Sequence, residues 1–341
     1  MRRLVLVGVA LLMAGPAGAW GKGPGGRIAV SCGEGVAIVD PADGRVVSVP
    51  TGPVGWLYPA PGGVLYAPDT RRGRTTAIDL VTGGVQERFD GVMMPVFGVE
   101  DERYVVAVRG RVLIAAYPDR LVLRDWEVPL ERPWRVRVSH DGLTLYVLDR
   151  PAEGASLVKV DLLSGREEVR TAVEGEPDEM ILFEETGLVA VARPGAGLVE
   201  LRSGTLLNVE GAVRCDGRPT GLAFDGRGHL LVGVAGTNGG EVLRFRIRRT
   251  AKNGLSVQEK GRRDVPAAPG RMAASPDGRW LAVGGAGGGL WIMATGLGRI
   301  ERSAKVPGPV RDVVWPDLER TGPLMPEWSN GDGGEWAKPG S

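Results

Sequence analysis

The feature that most constrains this chain is a proline that returns at nearly even intervals. Pro53, Pro95, Pro133, Pro177, Pro219, Pro269 and Pro309 are separated by 42, 38, 44, 42, 50 and 40 residues. After each of the first six comes the same outline: a short run, a polar turn holding Asp or Gly, and a second, apolar run. The clearest copies are ASPDGRWLAVGG (274–285), VSHDGLTLYVLDR from Val138 and AFDGRGHLLVGVAG from Ala223. Looser ones are LFEETGLVAVARP from Leu182, GVEDERYVVAVRG from Gly98 and YPAPGGVLYAPD from Tyr58. A unit of this length that recurs seven times is the mark of a four-stranded blade in a β-propeller. A β-sandwich has no reason to keep such a period.

Local chemistry agrees. Asp-Gly and Gly-containing turns supply the positive φ that tight hairpins need. The second runs LTLYVL, GLVAVA, HLLVGV and WLAVGG are apolar throughout rather than alternating, as expected of strands covered on both faces. Gly and Pro number 54 and 25 and are spread along the chain, which excludes long helices. Glu241–Asn253 is the longest stretch free of both after residue 19. With RRTAKNGLSVQEKGRRD it lengthens one hairpin and accounts for the spacing of 50.

The ends predict how the ring closes. RIAVSCG from Arg27, GVAIVD and RVVSVP supply three strands with no inner strand before them. PVRDVVWPD (Pro309–Asp317) reads as an inner strand with nothing after it. The expectation is an all-β, seven-bladed β-propeller over residues 20–317, its C-terminal strand completing the first blade and removing an open sheet edge.

Residues 1–19, MRRLVLVGVALLMAGPAGA, have the basic start, apolar centre and small-residue site of a cleaved secretory signal. They predict export to the periplasm or the extracellular space, with no transmembrane span afterwards. Removing Arg2 and Arg3 leaves 40 basic against 41 acidic side chains, which gives no basis for nucleic-acid binding. Oxidising surroundings permit a disulfide between Cys32 and Cys215, but they lie far apart in sequence and the geometry is demanding, so two isolated free or buried thiols are the plainer reading. Residues 318–341 read as a disordered tail, with Glu327-Trp328 and Glu335-Trp336 making it either a docking peptide or an untethered terminus.

The turn and strand residues resemble those of the YVTN-type, WD40-like seven-bladed propeller repeats. Ser275-Pro276-Asp277-Gly278 matches that turn in full, Ser139-His140-Asp141-Gly142 departs at His140, and Phe224-Asp225-Gly226 matches in part. Tyr146-Val147-Leu148 and Tyr104-Val105-Val106 approximate the second strand. The resemblance spans residues 27–317. It implies a ring with a binding or interaction role and no fixed catalytic set. The WD dipeptide of WD40 blades is missing from the blade ends.

Catalytic chemistry leaves little trace. The two histidines, His140 and His229, fall in separate turns and read as solvent-facing. No metal-ligand spacing occurs, and no cofactor is implied. GTNGGE and GGAGGGL lack the helix and Lys-Ser/Thr pair of a phosphate loop. Glu174, Glu176, Asp178 and Glu179 offer carboxylates for acid–base work on a sugar or lactone, or a solvated acidic loop.

A positional signal remains. In a propeller, the loops leading into inner strands and those between second and third strands share one face. That face receives Arg71, Arg72, Arg74, Arg109, Arg111, Arg135, Arg150, Arg193, Arg271 and Arg311, beside Trp56 and Trp134. Arginine with tryptophan is an interface pairing, and arginine suits carboxylates and phosphates. Glu34, Asp69, Asp149, Glu153, Asp178, Glu179 and Asp312 read as solvated acids on the same rim. The resulting expectation is a non-catalytic, exported propeller holding a protein partner or complex of the cell envelope, or an anionic ligand, through this rim. The alternatives are a lactonase-like or quinoprotein-like enzyme and a structural envelope subunit.

Overall fold

The computed structural model describes residues 25–33, 35–92, 94–97, 103–117, 119–236, 239–250 and 254–318. The signal assigned to residues 1–19, and the tail past Leu318, lie outside them. The chain forms seven four-stranded antiparallel sheets. Six run in chain order from an inner to an outer strand. The first instead has the order Val310–Val314, Ile28–Cys32, Gly35–Val39, Val46–Pro50, so the last strand is the inner strand of blade 1. Ala29 pairs with Val314, Val30 with Val313 and Ser31 with Asp312. Trp315 fastens the closure: its buried indole Nε1 donates to the Gly25 carbonyl at 3.1 Å.

The inner strands of blades 2 to 7 are Tyr58–Ala60, Val96–Phe97, Pro133–Val138, Glu179–Phe183, Arg218–Phe224 and Pro269–Ala274. Pro133 and Pro269 open theirs, where a missing N–H costs the ladder little. Second strands such as Ile28–Cys32 and Leu188–Arg193 are buried at nearly every position, whereas the outer strand Glu167–Ala172 alternates. This follows from sheets stacked face to face around a ring, with only the outer strand reaching water. The core accordingly lies between blades. Phe183, Leu188 and Ala190 of blade 5 pack against Leu230, Val232 and Phe245 of blade 6. The Phe183 and Phe224 rings stack at 4.0 Å.

The SPDG-like turn has a visible cause. Ser275 Oγ donates to Asp277 at 2.6 Å and accepts the Trp280 N–H at 2.9 Å, while Asp277 accepts the Arg279 N–H at 3.0 Å. Ser139, Asp141 and Thr144 repeat this, with the Thr144 N–H on Ser139 Oγ at 2.9 Å. A second recurring turn joins third to outer strands: Asp79 accepts the Val81 and Thr82 N–H groups, and Asp161 the Leu163 N–H. In blade 6 the hairpin expected to be long is formed by Gly239–Arg249 and Leu255–Val265, 11 residues each. It leans on blade 5 through Arg249, whose guanidinium donates to the Thr186 carbonyl and pairs with Glu210, each at 2.8 Å.

One open alternative falls away and one expectation needs correction. Cys32 and Cys215 are free thiols, so the disulfide that the sequence left open does not form. Cys32 is buried in the cluster shared by blades 1 and 7, Cys215 packs on that of blades 5 and 6, and the rigid ring keeps them apart. Burial, with Glu241 and Asp216 nearby, pushes the Cys215 thiol up to about 12, so it is inert as a thiolate near neutrality. His229 is not an open turn residue. Its Nδ1 lies 2.9 Å from the fully buried Asp225 carboxylate and 3.0 Å from Arg244, which itself pairs with Asp225 at 3.2 Å. His140 is exposed.

Candidate functional site

Inner strands start at the upper face, so their first side chains meet at the channel mouth. Successive residues of a strand point to opposite sides, which sends Arg135, but not its neighbours, to the axis. Arg135 (blade 4) and Arg271 (blade 7) converge there on Glu179 (blade 5). Arg135 is ion-paired with its Oε2, and Arg271 Nη1 donates to the same oxygen at 3.0 Å. Arg271 Nη2 reaches Asp178 at 2.9 Å, and Arg137 lies 3.7 Å from the other Glu179 oxygen. Trp56, from the loop leading into blade 2, covers the group: its ring centroid is 3.5 Å from the Arg135 guanidinium and 5.0 Å from that of Arg271. Trp134 meets Trp56 edge-on at 5.3 Å, donates from Nε1 to the Asp178 carbonyl at 3.2 Å, and carries Arg150 over its ring at 4.5 Å.

Arg135 and Arg271 are thus not rim groups. They are 6% and 8% exposed, because only an ion-paired cation is tolerated at the crowded axis. Against burial, Glu179 and Asp178 hold the Arg271 guanidinium above its ordinary pKa. Asp69, Asp149, Glu179 and Asp312 are likewise buried rather than solvated. Asp69 accepts the Arg71 and Arg72 N–H groups, Asp149 those of Glu131 and Arg132, and Asp312 that of Leu57 at 2.9 Å. Burial pushes the carboxyl of Asp312 and the hydroxyl of Tyr58 above their ordinary pKa values. Glu179 faces guanidiniums, not an open cleft, so it lacks the placement of a general acid or base. Glu176 is exposed, and Glu174 binds Arg193 at 3.0 Å.

The other predicted arginines do lie at the upper face. Arg193 is clamped between Glu174 and Glu200, and Arg150 is half-buried on Trp134. Arg74 pairs with Asp90 and Arg111 with Asp125. Arg71, Arg109 and Arg311 are exposed and make no side-chain ion pair among the described residues. Arg72, Arg74 and Arg88 line a cleft of about 400 Å³ between blades 1 and 2, floored by Asp69 and edged by Thr51. Asp69 Oδ2 is buried there and ion-paired with Arg72 Nη1 at 3.5 Å. Arg88 escaped the sequence reading because it sits in an outer strand; its guanidinium reaches the upper face by donating to the Pro50 carbonyl at 3.3 Å. Across the ring, Asp216, Glu241 and Asp264 line an acidic cleft of about 400 Å³. Among the described residues no cluster of three or more His, Cys, Asp or Glu side chains is placed to hold a metal, and no helix is long and apolar enough to cross a membrane.

Fold and site together define a seven-bladed β-propeller whose channel mouth is plugged by an arginine–carboxylate–tryptophan network. No protein-family model matches the sequence, and no curated protein matches it. Solved structures resemble it in fold. The periplasmic gluconolactonase PpgL of Pseudomonas aeruginosa is 18% identical, with 83% of this chain and 97% of that one covered at a TM-score of 0.61. The hydrazine synthase of Kuenenia stuttgartiensis is 16% identical, covering 84% of this chain and 100% of that one at 0.60. A chain of the mitotic checkpoint complex is 13% identical, covering 84% and 96% at 0.60, and is among the WD40-like propellers in this set. Identities this low show the fold alone, and the YVTN-type likeness rests on the turn and strand residues.

Proposed function

We propose that this protein is a non-catalytic binding propeller of the cell envelope that holds an acidic surface of a protein partner on its arginine-bearing upper face. The observation that carries the reading is a set of unpaired cations there. Arg71, Arg109 and Arg311 are exposed with no carboxylate partner among the described residues; Asp69, Asp149, Glu179 and Asp312 are buried, while Glu153 and Glu176 stay exposed on the same face. The cleft of Arg72, Arg74 and Arg88 adds a concave basic point beside them. Arginine forks bind carboxylates in pairs, and exposed ones keep full charge at any physiological pH. The leader-like residues 1–19 and the periplasmic location of the gluconolactonase neighbour support placement outside the cytoplasm. Membership of a protein assembly, as for the checkpoint-complex propeller, is a use the fold accommodates.

The test is capture from an envelope extract by the purified chain and by Arg71→Glu/Arg109→Glu/Arg311→Glu. Capture of a discrete acidic protein by the parent, lost in the variant and weakened tenfold or more by about 0.5 M salt, is the expected result. Undiminished capture by the variant overturns the reading. Competition by millimolar phosphate or citrate with no protein captured reassigns the face to a small anion.

A further inference from the structure

We propose that the cleft between blades 1 and 2 is a subsite for inorganic phosphate, taken in its protonated form. This deepens the reading of the upper face as a basic binding surface and rests on it for that basic character. The cleft, about 400 Å³, is built from one face of blade 2 against the end of blade 1. Alternate residues of a strand share a face, so Arg74 and Thr76 of Arg74–Asp79 look the same way. Arg88 pairs directly across from Thr76 and joins them. Arg72 arrives from the preceding loop, and Pro50 and Thr51 of blade 1 form the opposite wall. Arg88 spans the gap through its bond to the Pro50 carbonyl, and Arg74 bonds Asp90 through Nε, which leaves its two Nη groups to donate.

Two buried polar atoms name the ligand. The Thr76 side chain is 4% exposed and lines the cleft, yet its hydroxyl makes no hydrogen bond among the described residues. Asp69 is 1% exposed and gives Oδ1 to the Arg71 and Arg72 N–H groups. Its Oδ2 is ion-paired with Arg72 at 3.5 Å but receives no hydrogen bond among the described residues. Glycine at position 52 keeps that oxygen uncovered from the cleft: a Cβ there would stand 2.4 Å from Asp69 Oδ2 and 2.5 Å from Arg72 Nη1. Arg72 is exposed, so a donor entering the cleft can replace it at that oxygen. Guanidinium forks and a hydroxyl donate to an oxyanion. A carboxylate at the floor repels an oxyanion without a proton and accepts from one that carries it. Inorganic phosphate keeps a P–O–H group near neutrality. Sulfate has none, and a phosphate monoester, with its second pKa at about 6, has largely lost its own by pH 7. Charge permits the anion. Arg72, Arg74 and Arg88 face two carboxylates, Asp69 and Asp90, and Asp90 is exposed, where water screens it.

Isothermal titration calorimetry at pH 7 and constant ionic strength tests this with inorganic phosphate, sulfate and glycerol 3-phosphate. The chains compared are the parent, Arg74→Ala/Arg88→Ala and Thr76→Val. Phosphate is expected to bind one site of the parent at least tenfold tighter than sulfate or the ester. The arginine variant is expected to lose at least tenfold in phosphate affinity and Thr76→Val at least threefold, with unchanged circular dichroism. Should Thr76→Val disturb the sheet, the ranking of the three anions on the parent still decides. No phosphate binding by the parent at millimolar concentration overturns the proposal. So does sulfate or the ester bound as tightly as phosphate, or full phosphate affinity in the arginine variant. Both variants keep Arg71, Arg109 and Arg311. Capture of an acidic envelope protein without phosphate binding therefore sinks this subsite alone, and phosphate binding without capture sinks the partner reading alone.

Discussion

Replacing Glu179 with alanine tests whether the plug at the channel mouth holds the ring together. The carboxylate is 5% exposed and receives Arg135 and Arg271, so it links blades 4, 5 and 7 directly across the axis. In the variant Arg271 keeps Asp178 at 2.9 Å, but Arg135, 6% exposed, loses its ion-paired carboxylate and keeps the face of Trp56 and the charge of Asp312 nearby. Removing one partner of a buried ion pair costs about 3–5 kcal/mol. For a domain of this size 1 kcal/mol moves Tm by roughly 2–4 °C, so the expected drop is about 6–20 °C in thermal denaturation at pH 7 followed by circular dichroism. The penalty arises from a stranded charge, not from a lost attraction. Glu179→Leu with Arg135→Met, which removes both charges at similar volume, is therefore expected to regain at least half of the loss. A drop below about 2 °C, or a double variant no more stable than Glu179→Ala, would refute the reasoning.

Two further predictions concern the lower face and the turns. Burial lowers the pKa of His229 below its ordinary 6.5, against the pull of Asp225. The ring is therefore neutral in both states above about 6.5, and stability is lost as pH falls from there through the lower folded value, because the unfolded chain takes the proton first. A His229 NMR titration midpoint above 6.5 would contradict this. Gly165 has φ +71°, and a Cβ there would stand 2.0 Å from Trp126 Cγ, so Gly165→Ala should cost about 2–4 kcal/mol in urea denaturation. At Gly73, with φ +65° and nothing within 4 Å, the same change should cost only the left-handed backbone term, about 1 kcal/mol; equal costs at the two sites would show that the indole simply moves aside.

The two faces of the ring differ in a way that follows from its topology. Second strands end at the upper face, and there Asp69 and Asp149 turn inward to cap the N–H groups of loops. Arginines therefore face outward on the rim, together with the exposed acids Glu153 and Glu176. At the lower face the aspartates of the turns bond backbone within the turn, as Asp79 and Asp161 do, and the second residue after them is free to be an exposed aliphatic, as at Val81 and Leu163.

Periodicity alone determined the ring, its seven blades and the zipping of Val310–Val314 beside Ile28–Cys32, because a strand covered on both faces must be apolar throughout and a tight turn must hold Gly or Asp. It also placed Arg71, Arg109 and Arg311 on one face, since loop position follows from strand order. Which charges stay on that face was decided only by tertiary structure. Arg135 and Arg271 are alike in sequence to any rim arginine, but meet Glu179 from strands 44 and 92 residues away. Nothing local distinguishes a side chain aimed at the axis from one aimed at water, because burial at the channel is set by three blades converging on one point.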